Sequence, residues 1–285
     1  MIVVGNISVG GNGKTPFVIW LCSWLIQQGY KPGIVSRGYG GKSKQYPLLV
    51  DTDITGAEAG DEPVMIFKRL GIPIVVDPVR TQAAKYLAQQ CDVDIIITDD
   101  GLQHYALHRD IEIVIVDGKR LFGNQKIMPM GPLRERLSRL KRVDFIISNG
   151  QSNLSLIDKN TVITQDVIML LVANKCVRVD GCNGELDITL AVNACAGIGY
   201  PQRFFDSLKA QKFKLKNTLA FSDHHAFTES DFQQFGNSRP LLMTEKDAVK
   251  CVNFAKKNWW YQPISAQLPE QFEKKLLTKI KGLIC

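Results

Sequence analysis

A glycine-rich run early in the chain has the residue types that hold phosphate groups. Residues 10–15 read GGNGKT, between an apolar segment at 2–7 and a helical pattern. Glycines let backbone N–H groups turn around phosphate oxygens, Lys14 can reach the β- and γ-phosphates, and Thr15 offers a hydroxyl to Mg²⁺. The alternative is a glycine-rich turn whose lysine has no such role. We predict a phosphate loop made of Ser8, Val9, Gly10, Gly11, Asn12, Gly13, Lys14 and Thr15.

A second candidate site follows the apolar segment 93–98. This segment ends in Asp99 and Asp100, with Gln103 and His104 just beyond. Parallel strands end at one edge of their sheet, so these carboxylates are expected beside the phosphate loop, where such residues hold Mg²⁺ directly or through water. The alternative is a carboxylate that caps a helix. We predict an acidic Mg²⁺ cluster at this edge.

For two further polar clusters, the residues taken alone favour a structural role over a catalytic one. Asp61 opens a helical pattern and Pro63 lies in its first turn, as expected for a helix N-cap. His224 and His225 lie in SDHH, which fits a polar loop or a helix start. Zinc is not favoured, because thiolate or histidine partners at ligand spacing are missing from this region.

The periodicity predicts an α/β fold of the P-loop NTPase type, with a mostly parallel sheet flanked by helices and a second, smaller α/β lobe. The first half alternates strands at 2–7, 33–36, 74–76, 93–98, 111–116 and 143–148 with helices at 15–28, 61–70 and 79–90. Strands at 167–172, 177–179, 190–195 and 241–244 and a helix at 271–281 follow. A polar stretch at 149–160 suggests a boundary between a nucleotide-binding domain over 1–150 and a second, smaller lobe over 151–285. The last helix is a candidate to pack back on the first lobe.

The composition restricts the classes of binding partner that this chain is expected to have. The chain has 285 residues, 45% of them apolar, and a net charge of +7, which suits an anionic partner. No apolar run reaches the ~18 residues of a membrane-spanning helix, and basic and aromatic residues are not clustered as a nucleic-acid module requires. The basic amphipathic stretches 134–142 and 272–281 are either contacts for anionic lipid or solvated helix faces.

Eight motifs, in order along nearly the whole chain, resemble the tetraacyldisaccharide 4′-kinase family, the lipid A 4′-kinases of Gram-negative bacteria. They are VGNISVGGNGKTP (4–16), SRGYG (36–40), GDEP (60–63), DDGLQH (99–104), GPLRE (131–135), AGIGYPQRFF (196–205), FSDHHAFT (221–228) and TEKDAVK (244–250).

The resemblance implies ATP-dependent phosphorylation of the 4′-hydroxyl of a tetraacylated glucosamine disaccharide 1-phosphate, giving the 1,4′-bisphosphate. It implies a peripheral enzyme at the cytoplasmic face of the inner membrane that touches the anionic membrane surface, expected to be a monomer. Two α/β lobes would face each other across the active-site cleft, and the smaller one, over 151–285, would close over it. Family members begin with an additional segment that includes an amphipathic helix linked to membrane contact, whereas this sequence starts almost at the phosphate loop.

Nucleotide-site roles transfer residue by residue. Lys14 matches the phosphate-loop lysine and Thr15 a Mg²⁺ ligand. Asp99, Asp100 and Gln103 match the acidic Mg²⁺ cluster. The implied cofactors are therefore ATP and Mg²⁺.

Roles at the sugar hydroxyl transfer in the same way. Asp61 matches the base that takes the hydroxyl proton, and His224 matches the histidine that supports it from the other lobe. His225 is the rival, and the residues alone do not separate the two.

Two arginines match basic residues near the transferred phosphate. They are Arg80 and Arg134, with Arg136 as the rival of Arg134. A different function, a P-loop switch ATPase of the partition or metal-delivery type, would need a signature lysine where Val9 stands.

Overall fold

Two β-sheets organise the part of the chain that the computed structural model describes, residues 1–150 and 166–284. The larger sheet has nine strands in the order β14-β8-β7-β6-β1-β5-β2-β4-β3. All neighbours pair in parallel except the edge strands β3 and β14. Its members are β1 (Ile2–Gly5), β2 (Pro32–Ser36), β3 (Leu48–Leu49), β4 (Ile74–Val76), β5 (Ile95–Thr98), β6 (Ile111–Asp117), β7 (Phe145–Asn149), β8 (Asp166–Ala173) and β14 (Ile264–Gln267).

The smaller sheet has five strands in the order β11-β10-β12-β13-β9, with β9 antiparallel at one edge. These strands are β9 (Val177–Arg178), β10 (Ala191–Ala196), β11 (Lys214–Ala220), β12 (Leu241–Thr244) and β13 (Trp259–Gln262). We call this sheet with α5 and α6 the small lobe, and the larger sheet with the other helices the large lobe. The helices are α1 (Lys14–Gln27), α2 (Gly56–Ala59), α3 (Asp61–Leu70), α4 (Arg80–Gln90), α5 (Pro201–Ala210), α6 (Glu245–Cys251) and α7 (Glu270–Ile284).

The α/β fold predicted from the sequence is confirmed. All seven residues of β6 are buried, as a parallel strand covered on both faces requires. Residues at 214–220, 259–262 and 264–267 also form strands, and 56–59 and 245–251 form short helices, none of which the periodicity predicted. These elements are short or half exposed, so their apolar pattern is weak.

The chain crosses between the lobes twice. It enters the small lobe after β8 and returns to the large sheet at β14, with Pro263 alone between β13 and β14. The predicted boundary stretch 149–160 lies almost wholly outside the described residues, and the division at residue 150 stays a prediction. Strands β8 and β14 and helix α7 belong with the large sheet.

Helix α7 buries its apolar face in the large lobe. Phe272, Leu276 and Ile280 are buried, and the ring of Phe272 lies 6.4 Å from that of Phe17 and 5.2 Å from that of Phe145. The stretch 272–281 therefore has no free apolar face for a bilayer, and only its basic side is solvated.

The stretch 134–142 forms a 3-10 helix only from Leu137 to Arg142. Two of its arginines are engaged by carboxylates: Arg134 pairs with Asp100, and Arg139 pairs with Glu112. Among the described residues, no helix combines the length and apolar content needed to cross a membrane.

Candidate active site

The phosphate loop lies between β1 and α1. Gly13 adopts a left-handed conformation at the N-cap of α1, and Gly10 also has a positive φ of 99°. A side chain at Gly13 would collide with the Asn149 amide, whose Nδ2 lies 2.6 Å from the Cβ position. The Asn149 amide itself donates to the Asn12 carbonyl at 3.2 Å and braces the loop. The loop thus directs the first-turn N–H groups of α1, which have no intrahelical partners, toward an anion.

Two neighbours hold this loop from the side of β6. The Val9 N–H donates to the Pro132 carbonyl at 2.9 Å, so it is not available to a phosphate in this arrangement. Arg120 donates to the Gly11 carbonyl at 2.8 Å and to Asn12 Oδ1 at 3.0 Å. Sequence analysis gave Arg120 no role, because no motif contains it.

The predicted acidic cluster lies at the end of β5, next to Lys14. Lys14 Nζ is 3.5 Å from Asp100 Oδ1, and Arg134 Nη1 is 2.9 Å from Asp100 Oδ2. Burial would raise the pKa of Asp100, but the charges of Lys14 and Arg134 outweigh it and lower this pKa. Asp100 is therefore an ionised carboxylate bound by two cations.

Asp99 has the opposite environment. Its side chain is buried, and its Oδ1 has no hydrogen-bond partner. Burial, reinforced by the nearby Glu62 carboxylate and opposed by Lys14, raises the pKa of Asp99 to about 7. A buried carboxylate oxygen without a partner fits a cation ligand.

Arg80 and Gln103 flank this cluster. Arg80 begins α4 and is 8% exposed, and burial lowers its pKa even though Asp100 and Asp99 act to raise it. Gln103 donates to the Asn6 carbonyl at 2.9 Å and to Glu135 Oε1 at 2.7 Å. Its Oε1 lies 3.4 Å from Arg134 Nη1, so Gln103 links the GPLRE segment to the cluster.

Asp61 is the first residue of α3, which leads into β4, so it lies at the carboxyl edge of the large sheet, where the phosphate loop also lies. Its Oδ2 is 3.5 Å from His224 Nδ1, a residue of the small lobe. The neighbouring Glu62 acts on Asp99 electrostatically, which places the two acidic sites close together. Gly56 leaves room for Asp61, since a Cβ there would lie 2.7 Å from Asp61 Oδ1.

The structure distinguishes the rival residues by position. His224 contacts Asp61, whereas His225 Nε2 lies 3.2 Å from Asp231 and its ring stacks on Phe221 at 4.7 Å. Arg134 contacts Asp100, whereas Arg136 lines a surface pocket with Arg139 and Arg142. The roles assigned to His224 and Arg134 stay predictions.

Further charged residues lie at the site that sequence analysis left without a role. Lys246 and Lys250 of α6 contact Glu62 and Asp61 at 3.4 and 3.5 Å. Arg203 of α5 reaches Asp117 of β6 at 3.2 Å. The motifs TEKDAVK and AGIGYPQRFF contain these residues, but the sequence does not show which carboxylates they meet.

Comparison with known proteins identifies the family. The model of the tetraacyldisaccharide-1-P 4′-kinase family matches residues 1–281. The chain belongs to this family. The tetraacyldisaccharide 4′-kinase of Psychromonas ingrahamii is 61% identical over 285 residues, which is all of this chain and 86% of that protein. The enzyme of Aeromonas salmonicida is 52% identical over 284 residues, 99% of this chain and 83% of that one.

A solved structure extends the likeness to three dimensions. LpxK from Aquifex aeolicus, crystallised in complex with ATP, superposes with a TM-score of 0.78 at 28% sequence identity. The match covers 98% of this chain and 87% of that one. The switch-ATPase alternative is not favoured, because every one of these matches is to the kinase family.

Proposed function

We propose that this chain transfers the γ-phosphate of ATP to the 4′-hydroxyl of a tetraacylated glucosamine disaccharide 1-phosphate, a step of lipid A biosynthesis, with Asp61 as the base. The observation that carries the proposal is the pairing of Asp61 with His224 at the sheet edge that holds the phosphate loop. Family membership supports the same reaction.

The phosphate end of the site supplies positive charge and alignment. Phosphoryl transfer needs little covalent help from the protein, so its rate depends on placing donor and acceptor and on stabilising charge on the transferred group. Lys14, the first residue of α1, would bind the β- and γ-phosphates. Arg80 and Arg134 flank the carboxylates of β5 and would act on the oxygens of the transferred group.

Mg²⁺ fits the residues present. Asp99 and the Thr15 hydroxyl would hold the ion, with Asp100 and Gln103 beside them, and the unpartnered Asp99 Oδ1 supports this. Among the described residues no group of three or more His, Cys, Asp or Glu side chains is gathered as a metal site, so the set depends on hydroxyl and amide oxygens as well. The ion would neutralise charge on the β- and γ-phosphates.

At the hydroxyl end, Asp61 accepts the proton of the sugar. A hydroxyl is a weak acid, so a carboxylate within hydrogen-bond reach helps most when the proton leaves late in the transfer. His224 orients this carboxylate from the other lobe. Since the pair needs both lobes, their approach completes the site and excludes water from the γ-phosphate.

The acylated substrate requires access to a lipid surface, and we expect peripheral contact with the cytoplasmic face of the inner membrane by a monomer. The net charge of +7 supports attraction to anionic lipid. The solvated basic side of α7 is one candidate contact.

The experiment is a phosphorylation assay. The purified chain is incubated with ATP, Mg²⁺ and the tetraacylated disaccharide 1-phosphate in mixed micelles, and the product is analysed by mass spectrometry for a second phosphate at the 4′ position. We expect the bisphosphate from the wild type and a loss of about 10²–10⁴-fold in kcat for Asp61→Asn, since the variant keeps the shape but not the basicity.

Two results would contradict the proposal. Absence of the bisphosphate with a folded wild type contradicts the reaction. Full activity of Asp61→Asn contradicts the base assignment and leaves the reaction standing.

A further inference from the structure

Two lysines of the small lobe surround the Asp61–His224 pair. They are Lys246 and Lys250, one helical turn apart on α6, and both are largely buried. We propose that they are positioning residues for the proposed base: Lys250 clamps the Asp61 carboxylate, and Lys246 fixes the tautomer of His224. This inference rests on the proposed function of Asp61.

Lys250 has three contacts within its own lobe besides the one with Asp61. Its Nζ lies 3.3 Å from Oδ1 of the buried Asp247, donates to the His225 carbonyl at 3.2 Å and lies 5.1 Å from the ring centre of Phe227. Asp247 is in turn fixed by Thr244 and by the Gly197 N–H. The two nearest oxygen partners of the ammonium group therefore belong to its own lobe.

Lys250 Nζ also lies 3.5 Å from Asp61 Oδ2, the same oxygen that faces His224 Nδ1 at 3.5 Å. The Asp61 side chain is 14% exposed, so water screens these contacts only weakly. Two partners from one lobe thus fix the direction of a carboxylate that belongs to the other. A base held in this way needs no reorientation when the sugar hydroxyl arrives.

Lys246 acts on the histidine. Its Nζ lies 3.3 Å from His224 Nε2. An ammonium group can only donate, so Nε2 must accept, and the ring proton of the neutral imidazole is then on Nδ1. That nitrogen faces Asp61, so His224 donates toward the carboxylate. Asp223 Oδ1 is 3.8 Å from Nε2, beyond hydrogen-bond distance, and does not compete.

Lys246 is itself anchored by carboxylates of both lobes, Glu62 at 3.4 Å and Asp223 at 3.6 Å. Burial would lower the pKa of Lys246, but these charges, with that of Asp61, outweigh it and raise the pKa. Lys246 therefore remains a donor at neutral pH. His224 itself adopts a left-handed backbone conformation, with a φ of 60°.

The kinetic test is a set of double-mutant cycles. Lys250→Met is expected to lower kcat by about 10-fold or more and to leave the KM for ATP within about twofold, because the phosphate end is untouched. In the Asp61→Asn background the same change should cost less than about threefold, since a residue that acts through Asp61 has nothing left to position. The surface lysine variant Lys256→Met is the matched control and should equal the wild type.

Removal of Lys250 alone leaves Asp247 buried without its cation, which can impair folding. The variant Lys250→Met with Asp247→Asn removes both charges and should show the same loss of kcat with a melting temperature near that of the wild type. Wild-type kcat in either folded variant would overturn the clamp. A full additional loss in the Asp61→Asn background would overturn action through Asp61.

The proposed effect of Lys246 on the His224 tautomer can be measured without an activity assay. In protein with ¹⁵N-labelled histidine, the resonances of His224, assigned with His224→Asn, should show the Nδ1–H tautomer. Lys246→Met should shift the tautomer equilibrium while Lys256→Met should not. An Nε2–H tautomer in the wild type would overturn this assignment, whether or not the chain phosphorylates the proposed substrate.

Discussion

The two ends of the site are built differently. At the phosphate end, Lys14, Asp100 and Arg134 all belong to the large lobe, and Asp100 lies 3.5 Å from Lys14 and 2.9 Å from Arg134. At the hydroxyl end, Asp61 belongs to the large lobe, while His224, Lys246 and Lys250 belong to the small one.

This difference implies that ATP binding and proton removal from the sugar hydroxyl depend on different parts of the molecule. The residues that we assign to the phosphates lie in the large lobe, so we expect ATP to bind wherever the small lobe lies. The proposed base, Asp61, has its partners His224 and Lys250 across the lobe interface, so we expect proton removal only in an arrangement where the lobes meet. Water that enters an open cleft would find the phosphates but no oriented base, which limits ATP hydrolysis.

The largest expected effect is at the phosphate end. Lys14→Met should lower kcat by about 10³-fold, because the lysine acts on charge that develops in the transition state. The control Lys31→Met removes an exposed lysine paired with Asp92 on the same lobe and should match the wild type. Equal activity of Lys14→Met and Lys31→Met would refute the phosphate loop, and with it the contrast between the two ends.

An intermediate effect is expected where the lobes are tied together. Arg69 of α3 donates to Glu245 at 2.9 Å, to the Ile264 carbonyl at 2.9 Å and to Ser265 at 2.8 Å. Arg69→Met should cost about 1–3 kcal/mol of unfolding free energy, because the partly buried Glu245 is left without its cation. Denaturant unfolding checks this.

The kinetics of the same Arg69→Met variant test whether the two ends of the site depend differently on the contact between the lobes. We expect a larger loss in kcat than in ATP affinity, since the hydroxyl end needs the interlobe contact and the phosphate end does not. If ATP affinity fell in parallel with kcat, the two ends would not be separable.

The last expected effect concerns stability rather than rate: the stability of the folded protein depends on pH. The folded protein holds the Asp99 proton up to about pH 7, whereas the unfolded chain releases it near pH 4. Between these values the folded state binds more protons, so raising the pH weakens it. The melting temperature of the wild type, measured with EDTA, should therefore fall relative to that of Asp99→Asn from about pH 4 to about pH 7. A difference that stays constant over this range would contradict the buried, unpaired state of Asp99.

The two ends of the site also differ in how well the sequence predicts them. The phosphate end could be predicted because Lys14 and Asp99 each follow an apolar strand, and parallel strands bring their carboxyl ends together. Asp61 and His224 gave only local signals, and the family resemblance was needed to pair them. The motif TEKDAVK contains Lys250 but does not predict its contacts, since a seven-residue helix with little apolar pattern does not show which side meets the other lobe.

Helix α7 has a further consequence. Because Phe272 packs against Phe17, the last helix of the chain completes the core around the first one. The small lobe is thus an insertion whose two ends are both tethered to the nucleotide-binding body. A truncation that removes α7 should expose the core around α1, at the beginning of the chain, more than the small lobe that precedes α7 in sequence. A protease cut in the small lobe should leave two fragments that stay associated through the large lobe.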